Sequence, residues 1–200
     1  MSGNANLRRA IAADLWSRKH VKYSPEEVVV SNGAKQAVLQ AMMAVVSPGD
    51  RVIIPAPYWT SYPGMMPCTD RPVDSDRSSL HISTINADMV KMCLATPLIV
   101  GTEASSDYTL SSSALRAALS SSPSAGPVSC LILCNPSNPT GCVSGQAALE
   151  DIAAVLRDFP SVVVLSDEIY ERLTYEDTPH VSFASLPGMF ERTITINGFR

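Results

Sequence analysis

The run Val162-Val163-Val164-Leu165 constrains the fold of this chain more than any other segment. Four consecutive apolar residues, three of them β-branched, leave no polar face to turn toward water. A strand of that kind is buried on both sides, the condition of a parallel sheet covered by helices on each face. Just before it, Gln146 to Arg157 is amphipathic at helical spacing, with Leu149, Ile152, Ala153 and Leu156 on one side. This pairing of helix and strand recurs along the chain and predicts an α/β domain. Asn4 caps a helix through Leu7, Ile11 and Leu15. A β-branched run at Val28-Val29-Val30 reads as a strand and is followed by a helix from Ala34 to about Val46. Further strands are expected at Arg51–Ile54, Pro97–Val100, Val128–Leu133 and Thr193–Ile196, with a short helix from Ser111 to Leu119. The polar, serine-rich stretch from Asp70 to Thr84 reads as loop or insertion.

Composition removes several classes of function. An apolar content of 46% in 200 residues suits one sizeable core, and 17% charged residues with a net charge of −4 excludes an electrostatic nucleic-acid binder. No window approaches about 18 uninterrupted apolar residues, so no membrane-spanning helix is expected. The start, Met1-Ser2-Gly3-Asn4, has neither a signal-peptide core nor a transit-peptide character, which leaves plastid and cytoplasm open. Five cysteines, an odd number without a secretory signal, are expected to be free thiols. His20, His81 and His180 lie far apart in sequence, so no metal site is expected.

Four strand-end features carry chemistry. Ser31-Asn32-Gly33-Ala34-Lys35-Gln36 joins a strand-like run to a helix, and the first helical amides there form a ready anion site. Taken alone, turn geometry is the commoner reason for such a glycine. Leu165-Ser166-Asp167-Glu168 ends the buried strand, where ligands of open α/β sheets bind. A magnesium strand of a nucleotide hydrolase fails for want of a phosphate loop; a ligand cation paired with a carboxylate, or a helix cap or surface acid, stay open. Asn135-Pro136-Ser137-Asn138-Pro139-Thr140-Gly141 fixes the direction of an Asn amide between two Asn-Pro steps. In Pro57-Tyr58-Trp59 the indole can stack on a flat heterocycle or simply pack in the core.

Together these segments resemble the large domain of the fold-type I pyridoxal-phosphate aminotransferases, the aspartate aminotransferase family. S-N-G-A-K-Q, P-A-P-Y-W, N-P-S-N-P-T-G, S-D-E-I-Y and I-T-I-N-G-F occur in the family order, from Gly3 to Phe199. A-P-Y-W-T-S-Y-P, I-L-C-N-P-S-N-P-T-G and S-F-A-S-L-P-G-M-F-E-R-T look most like the bifunctional aspartate/prephenate enzymes. The resemblance implies a mostly parallel sheet flanked by helices and a pyridoxal 5′-phosphate cofactor. It implies amino transfer between aspartate or glutamate and a 2-oxo acid, prephenate among them, in a homodimer. It gives Ala34 and Lys35 amides to the cofactor phosphate and stacks Trp59 on the ring. It sets Asn138 and Tyr170 on the ring hydroxyl oxygen and Asp167 on the pyridinium nitrogen. Trp59 and Asn138 would also meet substrate.

Two departures from the resemblance set further expectations. Residues 64–87 have no family counterpart and read as an insertion in a partial large domain spanning 1–200, without the family's N-terminal arm and C-terminal small domain. The family's Schiff-base lysine is missing after Phe199, where Arg200 ends the sequence, so no catalytic residue is assigned. The alternative function is a non-catalytic fragment that binds the cofactor or a homologous subunit.

Overall fold

The computed structural model describes residues 2–62, 89–121, 126–175 and 179–198. Its helices are α1 (Ala5–Lys19), α2 (Ala34–Val45), α3 (Met89–Met92), α4 (Ser112–Leu119) and α5 (Gln146–Arg157). Among the described residues five strands, β1 (Arg51–Ala56), β2 (Thr96–Gly101), β3 (Val128–Cys134), β4 (Val163–Asp167) and β5 (Thr193–Ile196), form one sheet in the order β2-β1-β3-β4-β5. Every neighbouring pair is parallel. The fold expected from Val162–Leu165, a parallel sheet flanked by helices, is the fold observed.

Side chains along each strand divide between two cores with the period of two that a pleated strand imposes. Val52, Ile54, Cys130, Ile132 and Leu165 pack beneath Val38 and Met42 of α2 and Met89 and Val90 of α3. Ile53, Leu131, Leu133 and Val164 point the other way, against Leu115 of α4 and Leu149, Ile152 and Leu156 of α5. Burial on both faces is therefore what the continuous apolar strands encode.

Caps set the helix ends. Asn4 accepts the amides of Asn6 at 2.8 Å and Leu7 at 3.3 Å, and Ser111 accepts that of Ala114 at 3.2 Å. Pro55 lies within β1, but β3 pairs only with Arg51 to Ile53, so its missing amide falls where that ladder has already ended. Val28-Val29-Val30 is a correction. The segment is not a strand; it follows a 3-10 turn at Pro25–Glu27 and leads into the α2 loop. Val30 N bonds Ser2 O at 3.0 Å, while Val29 is exposed, so β-branched composition here has no sheet neighbour to pair with among the described residues.

The chain leaves β1 for β2 on one side and returns to β3 on the other. In such a sheet the connections diverge at the carboxyl ends of the strands and leave a crevice there. The loops after β1, β3, β4 and β5 and the start of α2 all come to this edge.

Candidate functional site

A cavity of about 390 Å³ occupies that crevice. All six residues assigned from the sequence, Ala34, Lys35, Trp59, Asn138, Asp167 and Tyr170, line it, together with Gly33, Tyr62, Cys134, Ile169 and Gly198. Phe199 and Arg200, and with them the expectation about the lysine, lie outside the described residues, as does the insertion expected at 64–87.

One wall is the start of α2. Gly33 holds φ +90°, a backbone conformation that side chains resist, and contributes no capping side chain. Gln36 instead accepts the amide of Asn32 at 2.6 Å, outside the helix. The first amides of α2 therefore stand uncapped by any side chain at Gly33, with the positive end of the helix dipole behind them. Lys35 Nζ sits 5.0 Å from the centroid of the Trp59 ring.

The floor is formed by strand ends. Asp167, the last residue of β4, is only 3% exposed. Its Oδ2 accepts the Tyr62 hydroxyl at 2.6 Å and its Oδ1 accepts the Ile169 amide at 3.3 Å. Burial pushes its carboxyl above the ordinary value, the Tyr62 and Ile169 hydrogen bonds oppose this, and the nearby Glu168 charge adds to the rise. Among the described residues no salt bridge reaches Asp167. A cationic ligand nitrogen would favour its ionised form. Asn138 Nδ2 donates to the Tyr170 hydroxyl oxygen at 3.3 Å, so the two polar groups converge on one place in the cavity. The Asn135 side chain holds that loop by accepting the Ser144 amide at 2.9 Å and donating to its carbonyl at 3.2 Å.

Tyr62 was missed from the sequence. It is 1% exposed, meets Trp59 edge-on at 5.4 Å between centroids, and is the group that orients Asp167. Its signal was the spacing of three after Trp59, which puts both rings in one turn. Burial and the Asp167 charge hold the Tyr62 phenol well above its ordinary value, so it remains a donor at neutral pH. Trp59 both packs against the α2-side core and lines the cavity, so the core and stacking readings coexist. The surface-acid alternative for Asp167 and Glu168 is corrected, since Glu168 is fully buried.

Behind the cavity lies a second polar cluster that sequence separation had hidden. Glu168, Glu171 and His180 bring ligand-type atoms within 4.8 Å of one another. The Lys19 ammonium pairs with both carboxylates, and the Arg18 guanidinium also pairs with Glu171, so cationic side chains face both acids.

The geometry has known counterparts. The family model "Aminotransferase class I and II" matches residues 1–75 and 85–199. The chain belongs to that family. It is 42% identical over 198 residues to the bifunctional aspartate aminotransferase and glutamate/aspartate-prephenate aminotransferase of Petunia hybrida, covering 99% of this chain and 35% of the relative. The aspartate/prephenate aminotransferase of Cereibacter sphaeroides is 33% identical, with 99% of this chain and 42% of the relative covered. The solved aspartate aminotransferase of Rhizobium meliloti superposes with a TM-score of 0.80 at 31% identity, covering 98% of this chain and 42% of that one. The chain thus spans well under half the length of these relatives.

Proposed function

We propose that the cavity holds pyridoxal 5′-phosphate and that the chain forms the cofactor-binding part of an aminotransferase acting on aspartate or glutamate and a 2-oxo acid. The observation that carries the reading is the convergence of three complementary features on one cavity. These are the start of α2, where the N-cap Gly33 brings no side chain between the helix end and the cavity, the Asn138–Tyr170 pair, and a buried Asp167 that no described salt bridge neutralises. They suit the phosphate, the ring hydroxyl and the ring nitrogen in turn.

When bound, this cofactor supplies an electron sink for the carbanion left when an amino acid loses its Cα proton. The amides of Ala34 and Lys35 anchor the phosphate, and the Trp59 indole limits tilt of the ring. Asn138 and Tyr170 hold the phenolic oxygen. Asp167 keeps a proton at the ring nitrogen, and Tyr62 fixes which oxygen of Asp167 faces it. Trp59 and Asn138 also border the space left for substrate.

The names of the relatives support aspartate and prephenate as substrates, and the family resemblance supports a homodimer, which sedimentation would test. The family match skips residues 76–84, which supports an insertion within 64–87 of a single large domain. Of the described residues, no helix is long and apolar enough to cross a membrane.

The test of cofactor binding uses a Trp16→Phe background, which leaves Trp59 as the sole indole of the two. Titration with pyridoxal 5′-phosphate is expected to quench it saturably at one equivalent per chain. Absence of saturable quenching contradicts the reading. Amino transfer from aspartate to 2-oxoglutarate is then measured on a chimera joining residues 1–199 to the remaining C-terminal part of the Petunia relative. A chimera that binds the cofactor and transfers no amino group contradicts the transferase part alone.

A further inference from the structure

The turn after β4 reads Asp167-Glu168-Ile169-Tyr170-Glu171, and its side chains divide between two places. Asp167 and Tyr170, three residues apart, line the cavity. Glu168 and Glu171, also three apart, are buried on the other side of the turn. Glu168 Oε1 accepts the hydroxyls of Ser166 at 2.9 Å and Ser182 at 2.8 Å and the Phe183 amide at 3.3 Å. Its Oε2 accepts Lys19 Nζ at 2.6 Å, with His180 Nε2 3.7 Å away. Glu171 accepts Arg18 at 2.9 Å on one oxygen and Asn197 Nδ2 at 2.6 Å on the other, and pairs closely with the same Lys19 ammonium. Lys19 is the last residue of α1 and its side chain is 5% exposed.

We propose that Lys19 is a positioning residue of the cofactor site: its ammonium bridges Glu168 and Glu171 and so sets the turn that presents Asp167 and Tyr170 to the cavity. Two buried carboxylates three residues apart repel each other without a shared cation, and an unpaired buried charge draws in water or moves out. Either response rotates the backbone between them. That backbone is itself short of slack: Glu168 N bonds Ile196 O at 2.8 Å, Glu171 N bonds Glu168 O at 3.0 Å and Leu173 N bonds Tyr170 O at 2.7 Å. A rotation that breaks these bonds moves Asp167 away from Tyr62 and Tyr170 away from Asn138. The positive charge therefore acts on the cavity through the turn, without touching the ligand. This inference rests on the reading that the cavity binds pyridoxal 5′-phosphate.

The test compares Lys19→Met, Lys19→Arg and, as a control at an exposed position, Lys22→Met. In the chain without cofactor, amide hydrogen exchange at Glu168, Glu171 and Leu173 is expected to quicken at least about tenfold in Lys19→Met, with β3 amides unchanged. Lys19→Arg, which keeps the charge, is expected to return most of the protection, and Lys22→Met to match wild type. Equal acceleration throughout the sheet, or none at the turn, overturns the proposal.

Equilibrium dialysis against pyridoxal 5′-phosphate is expected to show binding weakened at least about tenfold in Lys19→Met and largely restored in Lys19→Arg. Unchanged affinity also overturns it. If the wild-type chain binds no pyridoxal 5′-phosphate, the functional reading fails, and exchange at the turn alone decides the clamp. If Lys19→Met does not fold, Glu171→Gln, which keeps the Lys19–Glu168 pair, is expected to loosen the same three amides locally. No loosening there refutes the clamp.

Discussion

Replacing Tyr62 by Phe removes one oxygen from the interior and little else, which makes it a clean probe of how Asp167 is held. The hydroxyl donates to Asp167 Oδ2 at 2.6 Å, and both residues are buried. A hydrogen bond to a charged group contributes about 1.5–3 kcal/mol. Losing the bond therefore pushes the Asp167 carboxyl further above its ordinary value. The direction is upward because the hydroxyl stabilises the ionised form, and its loss leaves the Ile169 amide at 3.3 Å as the remaining donor to this carboxylate among the described residues. The folded state of the variant then takes up a proton at higher pH than the wild type. Above that pH it carries an undersatisfied buried carboxylate, and stability falls by about 1–3 kcal/mol. The Asp167 carboxyl carbon, followed by NMR across a pH series, reads the midpoint directly, and thermal melts at the same pH values read the stability. An unchanged or lowered midpoint would refute the assigned role of Tyr62.

Acid should weaken the fold through the cluster around Lys19. Burial alone would raise the Glu171 carboxyl, but hydrogen bonds and charge from Lys19 and Arg18 outweigh it and hold it below the ordinary 4.5. A depressed carboxyl contributes stability above its unfolded value and loses it as pH falls through the folded one. Glu171→Gln should therefore flatten the acid limb of a plot of melting temperature against pH, and an unaltered limb counts against the pairing. Cys130 and Cys134, whose thiols burial pushes up to about 12, should resist alkylation at neutral pH until the chain unfolds. Rapid labelling of either in the native state would contradict their placement. Gly33→Ala should cost about 1–3 kcal/mol in denaturant melts, because φ +90° with ψ 161° is a region that only glycine adopts readily, even in open space. An unaffected melt would mean that the turn can relax to another conformation.

The sheet was legible because strands buried on both faces leave continuous apolar runs, as Ile53-Ile54 and Val163-Val164-Leu165 do. Val28-Val29-Val30 has the same composition and no neighbouring strand among the described residues, and a propensity without a partner makes no sheet. The cavity residues were legible because each sits at a strand end or helix start that sequence punctuation marks, such as Gly33 or the Asn-Pro steps. Tyr62 was hidden because an aromatic three residues after Trp59 reads equally well as core. The cluster behind the turn was hidden more deeply. Lys19 and Glu168 are 149 residues apart, and only the folded chain brings that ammonium to that carboxylate.

The central claim is that Asp167 meets the ring nitrogen of pyridoxal 5′-phosphate in this cavity. Cofactor isotope-labelled at that nitrogen and followed by NMR in the presence of the chain tests it most directly. One bound equivalent whose ring nitrogen is protonated at neutral pH is expected, with loss of that protonation in Asp167→Ala. A bound ring nitrogen that is unprotonated at neutral pH, or one whose protonation survives in Asp167→Ala, would contradict it.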